Sequence, residues 1–446
     1  MKFKFPKDLY TDVRIENSFF VEFDMQNDDI VNDKDVYVKG AMIRVFDGKM
    51  WYTAETNDLD TIQKKINELA SLATPNPDIL ENPVVKNLSV NKARIIKFDG
   101  SKNLRNVTRE QRLKLVNYYR KKCLDNTIEE IKMTSTWFDF QNVVKELYTS
   151  KGTEIIQDYQ RANFGMWFQI LGKDNITYSG GKKLTEFEFN KLKKREEEII
   201  EARDRAIDFA KNNIPVTPGE YVCVLSPSVT SVFTHESFGH KSEADSMLND
   251  KTLQAEWTLG KKVADTKVSI IDEGDGMYHG YCPYDDEGNK KKKVWLIKDG
   301  ILSGRLHDAK SAAVLGEEPT GNARAQDYNN TPLVRMTNTY MAAGTEDPKE
   351  IIRGVKDGIY VYDFNYGTGQ STFTIQPQKC YKIRDGKLCE PLRVNVVTGS
   401  VFQTLFDIDA VGTDLEFFSG TCGKCGQSLA TAIGGPTIRV KKLMVN

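Results

Sequence analysis

The run Asn212-Asn213-Ile214-Pro215-Val216-Thr217-Pro218 divides the chain into two stretches of different character. Proline lacks a backbone donor and forces the residue before it toward extended geometry, so a helix cannot pass through this run. On its N-terminal side, Thr185 to Lys211 is highly charged. Its apolar residues Phe189, Leu192, Ile199, Ala202, Ala206 and Phe209 recur at helical spacing and predict one long helix. On its C-terminal side, short strand-like segments alternate with Gly-, Asn- and Asp-rich turns. Asp299-Gly300, Asp385-Gly386 and Gly434-Gly435 are the expected reversals. The 446 residues exceed one ordinary core. The expectation is therefore an α+β fold in two domains. Residues 1–214 form an α+β domain, and residues 215–446 form a mainly β domain, curved or barrel-like to hide its edges.

Within the first half, Lys39 to Thr53 reads as a hairpin turning at Asp47-Gly48. Leu59, Ile62, Ile66, Leu69 and Ala73 share one face of a helix over Asp58 to Ala73, which Pro75 and Pro77 end. Thr108 and Gln111 fit a capping box that opens a second helix. Between Ile131 and Leu171 the period shifts to that of strands. Val143 to Thr149, Thr153 to Asp158 and Met166 to Leu171 are expected as a meander, with a turn at Lys151-Gly152.

Charge excludes some classes of function. The 62 basic and 63 acidic side chains leave a formal charge of −1, which gives no reason to expect nucleic acid or an anionic membrane as partner. No apolar run approaches bilayer length. Met1 to Tyr10 alternates Lys with Phe and does not resemble a secretory signal, so the expected location is cytoplasmic. The seven cysteines then read as free thiols or metal ligands. Lys290 to Lys293 and the acidic Asp285-Asp286-Glu287 are expected as solvated turns, and His279 and His307 as structural or solvated side chains.

Of the chain's four histidines, two lie five residues apart in Thr234-His235-Glu236-Ser237-Phe238-Gly239-His240. Imidazoles suit a borderline cation, and a neighbouring glutamate outside the ligand set can serve as base toward water. In a regular α-helix, five residues rotate by about 500°, so the two rings would diverge by about 140°. A metal site here therefore predicts a π-bulge, or a break at Gly239, in the helix that starts near Val229. A catalytic site normally has a third protein ligand. Glu243, Asp245 and the distant Cys422 are the candidates. Cys422 and Cys425 form a Cys-x-x-Cys, which alone could equally be half of a structural zinc site or a redox pair.

These residues resemble the TldD/PmbA family of metallopeptidases. The His235-to-His240 motif is similar to the family's His-Glu-x-x-x-His, and Glu243 and Asp245 follow as in its active members. Further similar segments are Arg44 to Gly48, Tyr284 to Gly288, Leu296 to Gly300, Thr320 to Arg324, Arg335 to Tyr340 and Cys422 to Gln427. Cys425 departs from the pattern, standing where a polar or acidic residue is expected. The resemblance implies that His235, His240 and Cys422 hold one divalent ion, zinc first and iron as the other choice, with Glu236 as general base. It implies a peptidase for unfolded peptides, working as a homodimer or as a heterodimer with a relative that lacks the motif. A non-catalytic, metal-bound partner subunit is the alternative reading.

Overall fold

The computed structural model describes residues 3–125, 127–369 and 371–446. Met1 and Lys2, the start of the segment read above as no secretory signal, lie outside the described residues. The first half is one seven-stranded sheet with its three long helices on a single face. Its strands are β1 (Tyr10–Gln26), β2 (Asp29–Phe46), β3 (Trp51–Thr56), β4 (Lys92–Ile95), β5 (Ile131–Thr149), β6 (Glu154–Leu171) and β7 (Thr177–Glu186). The order is β3-β2-β1-β5-β6. The far edge of β6 is shared by β4, which runs parallel to its first part, and β7, which is antiparallel to its second.

Alternation along β1 sets the two faces. Val13, Ile15, Phe19 and Val21 point one way, toward helices α1 (Ile62–Leu72), α2 (Arg109–Cys123) and α3 (Glu196–Asn212). Ile62, Ile66 and Leu69 of α1 pack on Val13, Ile15 and Ile43, while Leu115, Val116 and Tyr119 of α2 join Phe138 and Phe164. Each such buried side chain stabilises the fold by roughly 1.5–3 kcal/mol before its entropy cost. The expected hairpin, helix and capping box are present. Phe46 pairs with Trp51 across the Asp47 turn, and Thr108 and Gln111 cap α2 reciprocally.

Two expectations need correction in this region. The meander turns at Lys151-Gly152 as expected, with Gly152 at φ +100°, but its three segments are parts of only two strands, of 19 and 18 residues. The long helix from Thr185 is also wrong. Thr185 and Glu186 end β7, Phe189 and Leu192 lie on a 3₁₀ turn, and Lys194 at φ +59° interrupts the path before α3 starts at Glu196. Its six apolar residues, five of them buried and Ala202 half-buried, are divided between the 3₁₀ turn and α3.

The second half contains β8 (Gly219–Leu225), β9 (Ile270–Glu273), β10 (Asn338–Met341), β11 (Asp357–Gly369), β12 (Thr372–Arg384), β13 (Val397–Ser400), β14 (Glu416–Lys424), β15 (Gln427–Gly435) and β16 (Ile438–Val445). The cycle β11-β8-β16-β13-β12-β11 closes a five-stranded barrel. A second, six-stranded sheet runs from Ile301–Leu302 through Val294–Lys298, β9, β10 and β15 to β14 at its edge. The fold is α+β, as expected. Asp299-Gly300 and Asp385-Gly386 are turns with positive φ at both residues. Gly434 and Gly435 are not a turn. They lie inside β15, where a Cβ would collide with Tyr340 and Phe417 or with Thr230, so they let the strand press onto its neighbours. Helix α4 (Pro227–Thr234) is clamped between the barrel and the six-stranded sheet. Val229, Val232 and Phe233 enter the largest core of the molecule, with Phe233 edge-on to Phe373.

Candidate metal centre

Ser226 caps α4 by accepting the Val229 N–H at 3.3 Å, and Pro227 occupies the first turn, where no donor is missed. The helix does not continue regularly. His235–Gly239 is a π-turn, closed by His240 N–H to His235 C=O, and a 3₁₀ turn follows over His240–Ser242. The wider turn brings residue i+5 back over residue i, which is the irregularity the five-residue spacing requires. The two imidazole centroids lie 5.0 Å apart.

The segment is seated by glycines. A Cβ on Gly369 of β11 would come within 2.8 Å of the Glu236 carbonyl oxygen and 3.0 Å of Ser237 Cα, and one on Gly239 would strike Met336. The barrel strand thus lies directly on the π-turn.

Cys422 arrives from β14 and meets the histidines with its Sγ 3.4 Å from His240 Nε2. The ligand atoms of His235, His240 and Cys422 all fall within 4.8 Å of one another. Arg335 is fully buried and donates to the Cys422 and Gln427 carbonyls, which fixes the hairpin. Its two-residue turn, Cys425-Gly426, has φ of +49° and +77°. Cys425 is therefore exposed at the hairpin tip, apart from the cluster.

Electrostatics favour a thiolate. Burial opposes ionisation of Cys422, but hydrogen bonds with His235 and His240 bring its pKa down to about 5. Burial likewise opposes charge on His240, yet its bonds to Cys422 and Glu243 raise it to about 10. A cation would replace that proton, because both answer the same thiolate. Two imidazoles and a thiolate form a donor set that fits a borderline divalent ion, and the buried Nδ1 of His235 has no partner among the described residues. Glu236 points from the same π-turn without joining the three. Burial raises its pKa above the ordinary carboxylate value, and the two histidines pull it back down.

Glu243 and Asp245 do not join the cluster of His235, His240 and Cys422. Glu243 Oε2 lies 3.3 Å from His240 Nδ1, behind the ring, and 3.1 Å from Lys424 Nζ. Asp245 also takes Lys424, at 2.7 Å. This carboxylate-behind-histidine arrangement orients the ring and directs Nε2 at the cysteine.

The other motif residues are scaffold. Asp272, fully buried, accepts from Thr337, Thr339 and Asn322 and pairs with Lys291 at 3.0 Å. Lys291 therefore departs from the solvated run expected for Lys290 to Lys293. Asp285, Asp286 and Glu287 are also buried, against the expectation of a solvated turn. Asp285 accepts amides of its own loop, and Asp286 takes Lys145 from the N-terminal sheet. His307 is structural, bonded to Ser311 and Glu317, and His279 is buried.

Residues 218–446 match the PmbA/TldA metallopeptidase C-terminal domain, and residues 11–73 match domain 1 of the same metallopeptidases. The chain belongs to the TldD/PmbA family. It is 29% identical to the metalloprotease slr0863 of Synechocystis over 98% of this chain and 94% of that one. It is 32% identical to a zinc metalloprotease TldD homolog of Saccharolobus solfataricus over 78% of this chain and 79% of that one. Among solved structures, TldE from Thermococcus kodakarensis superposes with a TM-score of 0.71 at 16% identity, covering 98% of this chain and 96% of that one. A Thermotoga maritima protein, named for a suspected role in modulating DNA gyrase, gives 0.79 at 16% identity over 98% and 96%. These two likenesses concern the fold alone.

Proposed function

We propose that this TldD/PmbA protein is a metal-dependent peptidase acting on unfolded or extended peptides. His235, His240 and Cys422 hold one divalent ion, zinc first, and Glu236 is the general base. The observation that carries the reading is the π-turn. It gathers two histidines that a regular helix would separate, at the point where a cysteine 182 residues from His240 arrives. When bound, a divalent ion supplies Lewis-acid activation of the scissile carbonyl and of water. Glu243 keeps His240 in the tautomer that offers Nε2. Glu236, its affinity for a proton raised by burial, takes the proton from water and delivers it to the leaving amine.

The substrate lies along the outer edge of β14, where no strand pairs among the described residues. Beside it runs a groove reached by His240, Lys241, Asp250, Glu256 and Gly423. Backbone pairing at such an edge binds extended peptide with little side-chain preference. The working assembly is a homodimer, or a heterodimer with a relative lacking the motif.

The test is Glu236→Gln. It is expected to keep about one metal per chain while peptide cleavage falls by about 10²–10⁴-fold. Unchanged cleavage would remove Glu236 from the reaction. Wild type that binds metal but cleaves nothing would move the chain to the non-catalytic partner reading.

A further inference from the structure

The seam between the N-terminal sheet and the second half holds a cavity of about 280 Å³. An arginine reaches it from each side. Arg161 comes from β6, and Arg324 from the second half, where Ala323–Arg324 pairs with Leu333–Val334. Each is 5% exposed, and neither forms an ion pair among the described residues. Arg161 donates through Nε to the His279 carbonyl at 2.7 Å and through Nη1 to Gln141 Oε1 at 3.1 Å. Arg324 donates through Nη1 to the Met336 carbonyl and through Nη2 to the Ala430 carbonyl. Arg161 Nη2 and Arg324 Nε have no acceptor among the described residues.

The two charges act on one another across the seam. Burial lowers the Arg161 pKa to about 10; Tyr159 opposes that fall, and Arg324 adds to it. His279 feels the same field. Burial, then Arg161, Lys183 and Arg324, hold its imidazole well below the usual value. The other charged groups on the wall are already engaged. Lys145 meets Asp286 at 2.9 Å and Glu16 at 3.3 Å, and Asp327 accepts from Asn329 and Asn330 in its own turn. Carbonyl acceptors satisfy guanidinium donors without cancelling their charge. Two buried like charges facing one space are costly unless an anion enters. A chloride or a carboxylate would cancel one of them. A doubly charged oxyanion would cancel both and accept from both free donors.

We propose that this cavity binds a doubly charged tetrahedral oxyanion, a sulfate or a phosphate group, between Arg161 and Arg324. The anion turns a repulsion between the two halves into a bridge. Phe20, Tyr159 and Tyr281 also line the space, so a phosphate can enter as a free ion or carry an organic group. Nothing in this proposal requires turnover at the metal centre, and binding is measured without it.

Isothermal calorimetry on the full chain at constant ionic strength tests it with sulfate, phosphate, phenyl phosphate, acetate and chloride. Sulfate and phosphate are expected to saturate one site, and acetate and chloride to bind at least about ten-fold more weakly. Arg161→Gln and Arg324→Gln should each weaken sulfate by about ten-fold or more. Sulfate should also raise the Tm of the wild type, and that rise should be lost in both variants. No saturable binding, acetate binding as tightly as sulfate, or unchanged sulfate affinity in a folded variant would overturn the proposal. The last is also the result if the oxyanion sits on the metal centre instead. The first two are read on the wild type, so they decide even if neither variant folds. Phenyl phosphate binding more tightly than phosphate would support the site and make an organic phosphate its ligand. The reverse order would support the site and make a free ion its ligand.

Discussion

Lys424 lies two residues past Cys422, and its ammonium answers Glu243, Asp245 and the Val334 carbonyl together. Glu243 in turn bonds His240, so the orientation of one candidate ligand depends on the hairpin that carries another. Lys424→Met would leave the Glu243 carboxylate, with 2% of its side chain exposed, without its lysine. We expect a loss of about 3–5 kcal/mol in denaturant unfolding and about 10–100-fold weaker metal binding in competition with a chelator. Metal affinity unchanged in the folded variant would show that the ring is held by other means. The residues proposed to hold the metal were legible because their pattern is local, or, for Cys422, because of family resemblance. Glu243 was visible three residues after His240 but was weighed as a ligand, since sequence spacing gives proximity and not which ring nitrogen is met. Lys424 and Arg335 lie in segments that resemble the family, but their roles are not legible, because their partners Asp245 and Cys422 are 179 and 87 residues away and no short-range signal marks such a pair.

At the scale of elements, the π-turn depends on what presses against it. Gly369→Ala puts a methyl group against the backbone at Glu236 and Ser237, which cannot rotate away as a side chain can. The strand or the turn must move. We expect reduced metal content by elemental analysis and a lower Tm, with the circular dichroism spectrum retained. Full metal occupancy in this variant would mean that the turn tolerates the shift. The turn itself could be inferred from sequence, because five-residue spacing and a regular helix are incompatible with shared ligation. The mistaken helix from Thr185 shows the opposite case. Phe189, Leu192 and Ile199 fit a 3.6-residue period, yet Thr185 is pinned in register with Asn163 by a sheet edge that sequence alone does not display. Pairing overrode propensity there, and Lys194 in the left-handed region marks where the chain changes course.

At the scale of the molecule, β1 alternates Asp12-Val13-Arg14-Ile15-Glu16, a pattern that reads as one dry face and one wet face. The second face is not wet. Arg14, Glu16 and Lys145 are buried against Asp286, and Arg44 pairs with Asp12 and lies 3.7 Å from Glu287. The acidic turn, expected in solvent, is the second half's contribution to this seam, and only the assembled chain supplies its cations. Such a pair is costly to break and cheap to replace whole. Lys145→Met leaves Asp286 and Glu16 facing each other with only Arg14 between them, and should cost about 3–5 kcal/mol. Asp286→Leu leaves Lys145 with Glu16 alone and should also destabilise. The double variant leaves Arg14 and Glu16, 3.2 Å apart and neutral together. It should therefore be more stable than the sum of the single changes by more than about 1 kcal/mol. Because these groups are shielded from solvent, that coupling should barely change between low and high salt. Simple additivity in urea unfolding, or a coupling that disappears in salt, would mean that the two halves are joined by packing and not by these charges.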